Sequence, residues 1–586
     1  MSTINFTRLS LVCFLAFSGV SNNGFAQQAD SLKSESIIIV RDFEPIIKTN
    51  VRKLDINPVI QEVKLPPPNF KYTTVPFADT VSFVPERINP AKLKGEPLDK
   101  LYRAYVTAGV GNFLNHTLQA KVSSIRDRKQ RWGLNVEHFW SDGGITDVPY
   151  NGFSSQLADG FYKRIFRAHI LSASAGYTRD RVYRYGFESN NVGFDPELIE
   201  REDIAQTYNQ GYGAVSIQSF FADSSDINYK LDLKFHHVTN EDGGTRETGA
   251  LFSSRFDRFF DAHQGIVSFD ADYNAPSSSS AFYDSLGNYQ SNMILRLGLD
   301  VVLNISKFRI NAGLKMALES QNDNQMYLYP NIELSYRALR KVIIPYAGIR
   351  GDLRRRSFNT TRLENPFIED FVELRNENTV YNAFVGVRGA YSSTISYDVR
   401  ASRQRIENFG LFTNIYGVQP NGYNILVLPI SNTFQVIYDD LNLICLTGEL
   451  TFHQVKQWDI TFMAEYFSYD FDNTPEAWHL PDFKTSLKGK YNLNDLFYFT
   501  GSVNFWSTRY AKTLNQEDPQ LAFNEYGRQL DAVIDLNLGA ELIYSKRASI
   551  YLNINNITAQ NYQLWNRYPV QGINVLLGFT YGFWSR

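Results

Sequence analysis

From about residue 101 onward the chain is a succession of short segments in which apolar and polar residues alternate, separated by turns of Asn, Asp, Ser, Lys and Arg. In the stretch 530–542 one parity is wholly apolar, from Leu530 and Ala532 to Ala540 and Leu542, and the other carries Asp531, Asp535, Asn537 and Glu541. A strand sends successive side chains to opposite faces, so one face meets something oily and the other something wet. Met293, Leu295, Leu297, Leu299 and Val301 oppose Arg296 and Asp300 in the same way, and Phe497, Phe499, Val503 and Phe505 oppose Thr500, Ser502 and Asn504. Strands of soluble sandwiches tend to be nearer 5–6 residues, whereas segments of ten or more suit a tilted membrane span. The pattern predicts an all-β fold, a transmembrane antiparallel β-barrel of about 22 strands, or about 18–20 if long strands have been split in the counting. Short connections, such as 167–169, 304–307, 338–340, 492–494 and 545–547, alternate with long ones at 141–157, 187–205, 356–375, 408–429, 510–526 and 557–569. Barrels of this kind keep short turns in the periplasm and long loops outside.

The first hundred residues read differently. Residues 1–26 have the form of an export signal: Arg8, the apolar stretch Leu9 to Val20, then the small-residue site Gly24-Phe25-Ala26. No later segment approaches the ~20 consecutive apolar residues that a membrane helix needs. Residues 27–100 carry Pro45, Pro58, Pro66-Pro67-Pro68, Pro76, Pro85, Pro90 and Pro97. Prolines this frequent forbid a sheet interior or a long helix, which predicts an extended periplasmic arm before a barrel over 101–586.

Composition agrees with one greasy face per strand. The 35 Tyr and 43 Phe lift the aromatic fraction to 15% while mean hydropathy stays at −0.30, as expected where aromatic girdles mark two water interfaces. A net charge of −3 speaks against a nucleic-acid partner. After removal of the signal, Cys445 is the sole cysteine, which predicts a small apolar side chain on a strand and excludes a zinc-site spacing.

Three short stretches carry a resemblance: Ile38-Ile39-Val40-Arg41-Asp42-Phe43-Glu44-Pro45-Ile46-Ile47, Tyr105-Val106-Thr107-Ala108-Gly109-Val110-Gly111-Asn112 and Trp140-Ser141-Asp142-Gly143-Gly144-Ile145. Together they resemble outer-membrane barrels of Bacteroidetes labelled TonB-dependent receptors or receptor-like. The resemblance implies the outer membrane of a Gram-negative bacterium, a role in solute binding or transport, and TonB or a surface lipoprotein as candidate partners. Ile37, Ile38, Ile39 and Val40 would then be the TonB-contacting segment, pairing with an exposed partner edge. Transporters of this size hold a plug in the lumen, and residues 27–100 are too few and too proline-rich for one. The alternative is a non-enzymatic structural or assembly subunit of an outer-membrane complex, its lumen filled by the arm, by loops or by a partner.

Candidate functional residues follow from parity and charge. Lys230, Asp232, Arg296, Asp300, Arg309, Lys315, Asp398, Arg400, Asp535 and Glu541 fall on the wet face and are candidate lumen charges of mixed sign. Arg354, Arg355 and Arg356 lead into the 356–375 loop and are a candidate anion-binding cluster. Phe579, Tyr581, Phe583 and Trp584 end an apolar file that is similar to the closing strand read by the outer-membrane barrel-assembly machinery, and outer-membrane lipid is the remaining partner. Of the eight His, only His236-His237 are adjacent, and neighbours on a strand cannot ligate one metal in regular geometry. No nucleophile elbow, phosphate-binding glycine loop or His-Glu-x-x-His occurs, so no catalytic, cofactor or metal residue is expected.

Overall fold

The computed structural model describes residues 101–187, 199–221, 226–278, 290–320, 324–339, 341–370, 372–415, 417–421, 424–428, 432–512 and 527–585. The expected signal and arm, and with them Ile37 to Val40, lie outside the described residues.

Twenty-two strands form one sheet in which sequential neighbours pair. The ring closes where the first strand, Tyr102–Gly111, pairs antiparallel with the last, Asn574–Ser585, setting Ala108 opposite Phe579 and Val106 opposite Tyr581. The fold is the antiparallel barrel that the alternation predicts, at the upper strand count. Phe579, Tyr581, Phe583 and Trp584 therefore sit on the strand that seals it.

The two faces separate as the parity demands. On strand Asn292–Ile305, Leu299 is 51% exposed and Val301 45%, while Ile294 is fully buried. Leu134, Leu233, Val385, Leu538 and Phe579 repeat the half-exposed apolar position around the ring. Apolar surface left in water costs about 25 cal/mol per Å², so a continuous belt of it is what bilayer hydrocarbon covers. The opposite face is concave. Arg296 donates to the Leu353 carbonyl at 2.9 Å from a strand three places away in the ring. Such a bond can run only through the interior.

Two strands far outrun the membrane. Ile395–Asn414 has 20 residues and its partner Phe434–Gln454 has 21, where a tilted strand needs ~9–11 to cross. The surplus stands beyond the belt as a paired hairpin wall, past a register shift between Ile406 and Phe409. The sequence places a loop from 408 onward; instead Phe409 to Asn414 remain in the strand, buried on both faces. Packing on both sides removes the alternation that would have betrayed a strand.

Candidate functional site: a cap across the long-loop mouth

Among the described residues, several long connections pack against one another and the wall. The segment 355–376, between strands Ile344–Arg354 and Glu377–Ala390, folds inward and carries a short helix, Phe358–Glu364. Its start is encoded locally. Ser357 is the N-cap: its hydroxyl accepts from the Thr360 backbone N–H at 3.2 Å, and Thr360 Oγ1 accepts from the Ser357 N–H at 2.9 Å. This reciprocal pair satisfies two of the otherwise orphaned N-terminal amides. Two more are taken by the wall. Glu247, fully buried on strand Thr245–Phe260, accepts from the Phe358 N–H at 2.6 Å and the Asn359 N–H at 3.4 Å. A carboxylate at the positive end of a helix is favourable, so Glu247 docks the helix end-on.

Beyond the helix the chain reaches a sector of the ring eight strands back. Tyr208 Oη donates to the Pro366 carbonyl at 2.9 Å, and the Arg184 guanidinium donates to the Ile368 carbonyl at 2.7 Å. Asp370 lies 3.5 Å from Arg184 and accepts from Asn240 at 2.5 Å. From the other side, Phe367 stacks on Tyr568 of the hairpin Gln563–Trp565/Tyr568–Pro569, with ring centroids 3.7 Å apart. Phe367 and Phe434 exchange backbone partners with their neighbours, Phe434 N–H to Phe367 O at 3.0 Å and Glu369 N–H to Phe434 O at 2.8 Å. Residues 366–370 thus sit where three sectors of the ring meet. The side chains at the junction are dry: Val238, Phe358, Ile368, Phe434 and Tyr568 form one buried cluster with Val182 and Phe412.

A second knot joins the connections that carry His479, Arg509 and Asn566 to the end of strand Ile395–Asn414. His479 is buried; its Nδ1–H donates to the Phe412 carbonyl at 3.1 Å, and its Nε2 accepts from the Asn566 N–H at 3.2 Å. These two bonds require the neutral imidazole. Burial, and then the charge of Arg509, hold the ring down at about 3. Arg509 is itself almost fully buried and donates to the carbonyls of Gln563 and Leu564. Burial brings it down to about 10. Burial also pushes the Asp370 carboxyl up, against the pull of Arg184.

Arg354, Arg355 and Arg356 are brought together at the root of the cap. Each is engaged by carboxylates of the same chain: Arg355 with Asp272 at 2.7 Å, Arg356 with Glu364 at 2.6 Å and Glu377 at 3.7 Å, and Arg354 with Glu364 at 3.7 Å. What they hold here is the cap. The candidate lumen charges all lie on the parity opposite the exposed apolar file, but not as one cluster. Lys230 pairs with Asp232 at 2.8 Å, and Arg296 reaches Asp272 at 3.5 Å. Asp398 accepts from Tyr346, Asp300 from Asn331, and Asp535 from Asn504 and Asn537. On the same face, Arg400 shares a strand with Asp398 and Glu541 with Asp535, while Arg309 and Lys315 lie on strand Phe308–Glu319. The cap residues Glu247, Asp370, Arg184, His479 and Tyr568 carry no linear signal, because their partners are far away in sequence. The exception is the Ser357–Thr360 spacing, which an N-cap search would find. Among the described residues no group of His, Cys, Asp and Glu has metal-site geometry.

No family model matches the chain, and no curated protein does. Solved structures do. The siderophore receptor PirA from Acinetobacter baumannii superposes with a TM-score of 0.61 at 10% identity, over 83% of this chain and 81% of that one. The FrpB iron transporter from Neisseria meningitidis gives 0.60 at 10% identity, over 83% and 82%. The ferripyoverdine receptor of the outer membrane of Pseudomonas aeruginosa gives 0.57 at 13% identity, over 83% and 72%. At such identities the shared property is the fold of an outer-membrane barrel.

Proposed function

We propose that this chain is a non-enzymatic, TonB-dependent-receptor-like barrel of a Gram-negative outer membrane, which captures a solute at its long-loop mouth and passes it through a gated lumen. The observation that carries this reading is the cap. An open pore leaves its mouth clear, whereas here residues 355–376 cross it on hydrogen bonds and ion pairs to separate sectors of the wall. Contacts of that kind can be exchanged for contacts to a ligand. The likeness to siderophore and iron receptors agrees with it at the level of fold. Engagement of TonB through Ile37 to Val40, reading of Phe579 to Trp584 by the assembly machinery, and a surface lipoprotein partner belong to the same proposal. A second reading, a scaffold or assembly subunit, draws on the dry cluster around Phe434 and Val238, which suits a permanent lid.

Planar-bilayer conductance separates these readings. The comparison is between the full mature chain, a form with 356–375 replaced by a short Gly-Ser bridge, and a form that also lacks residues 27–100. The gated reading expects silence from the first and conductance from one of the others. Large, steady conductance from the intact chain would reduce it to a passive pore. Silence from all three, with the barrel folded, would leave the scaffold.

A further inference from the structure

The two rims of the barrel carry opposite charge. The ten connections at the short-turn end contain ten Lys or Arg and four Asp among the described residues. The connections at the long-loop end contain, among the described residues, ten Lys or Arg against fifteen Asp or Glu. The cations of the short-turn rim are not gathered in one sector. Among the described residues they occupy six of its ten turns: 546–547, 124–129 and 166–168, which neighbour one another across the seam and hold six of the ten, and 306–307, 337–343 and 455–457 on the far side of the ring, which hold the other four.

Three exposed arginines at this end also lie over aromatic rings. Arg164 sits 5.1 Å from the centroid of Phe166, Arg258 5.2 Å from Phe260, and Arg547 5.6 Å from Tyr102. Arg164, Arg258 and Tyr102 share the outward parity of the apolar belt, as their register partners do. The guanidinium groups are therefore held at the edge of the greasy surface, one aromatic layer beyond it, where a bilayer presents its headgroups.

We infer that the short-turn rim is a binding belt for the phosphates of anionic phospholipids in the leaflet that surrounds it. Arginine forks match phosphate oxygens, and lysines add charge without geometry. A protein partner would need its cations on one face of the rim. A leaflet surrounds the rim, and cations stand on both halves of it, with Arg164 and Arg258 facing outward along the belt edge. The turns at 220–227, 261–262, 391–394 and 494–496 carry no cation among the described residues, and Asp226, Asp261 and Asp495 lie in three of them; these are gaps in the belt. The inference rests on the membrane-barrel reading and on the orientation that goes with it, short turns toward the periplasmic leaflet. It also assigns a role to turn residues that the transport reading leaves unused.

The test uses the full chain in nanodiscs of phosphatidylcholine alone or mixed with phosphatidylglycerol. Bound lipid is counted by native mass spectrometry, and barrel integrity is followed by heat-modified gel mobility. The anionic lipid is expected to be retained about tenfold over the zwitterionic one. Replacing Arg126, Arg128, Lys129, Lys307, Lys341, Lys456, Lys546 and Arg547 by Gln, which covers both halves of the rim, should bring that to within about twofold. The matched change R179Q/R181Q at the opposite rim should leave it intact. Equal retention of both lipids by an inserted barrel, or a preference untouched by the turn variant, would overturn the belt. Loss of the preference to millimolar inorganic phosphate would replace it with isolated anion sites. A barrel that fails to insert at all would instead sink the membrane reading beneath it.

Discussion

The wall and the cap of this barrel are held by different physics. Along the wall, each strand is fixed by the ladder to its neighbours and by one apolar face, so the information is local and repeats every second residue. In the cap, one residue is fixed by groups hundreds of positions away: Tyr185 Oη donates to the Pro569 carbonyl across 384 residues, and Arg184 to Ile368 across 184. The wall tolerates change on its wet face and punishes it on the oily one. The cap is a small globular core, with dry side chains and buried polar groups that must all find partners. A sheet can thus host, at its end, a region that behaves like the interior of a soluble protein.

That contrast can be broken experimentally, and the largest effect is expected in the cap. Phe434 is fully buried and lies between His479, Trp565 and Tyr568, with centroids 5.6 to 5.9 Å away. Phe434→Ala should cost about 3–5 kcal/mol of local cap stability. Amide exchange at 366–370 should speed up, while the gel mobility of the folded barrel stays unchanged. Leu299→Arg attacks the wall. A guanidinium on the outward face near mid-membrane costs about 2–4 kcal/mol, so this variant should fold poorly into bilayers and leave exchange in the cap untouched once folded.

Acid provides a graded test. His479 has its pKa lowered from the ordinary 6.5 to about 3, so its contribution is fully present above pH 6.5 and is lost as pH falls toward 3. Asp370, raised by burial, acts in the opposite sense, its protonation on acidification favouring the folded cap. Proteolysis of the cap in intact proteoliposomes should therefore rise on acidification below pH 6.5. His479→Gln should flatten that rise. If the rise persists in the variant, the knot at His479 is not what titrates. The smallest effect belongs to Ser357→Ala, which removes the N-cap and should cost about 1 kcal/mol, detectable as faster exchange at Phe358 to Thr361 alone.

The same division explains what the sequence discloses. Strand Asn292–Ile305 is legible residue by residue, because Leu295, Leu297, Leu299 and Val301 must meet hydrocarbon and Arg296 and Asp300 must not. Residues 409–414 are not legible, since Phe409, Leu411 and Phe412 are covered on both faces and no alternation survives. The Arg354 to Arg356 run is visible as charge, but only the fold supplies Asp272, Glu364 and Glu377 to answer it. The helix Phe358–Glu364 is too short for a 3.6-residue period to emerge, and only its capping pair is written in the chain.

The seam between the first and last strands sets the timetable of the molecule's birth. Thr107 meets Thr580 across it, 473 residues apart in the chain. Until the final strand is in place, both edges of a growing sheet have no partner. Contacts this distant also form slowly. Closure is therefore the last step of sheet formation, and any partly formed sheet before it presents two bare strand edges.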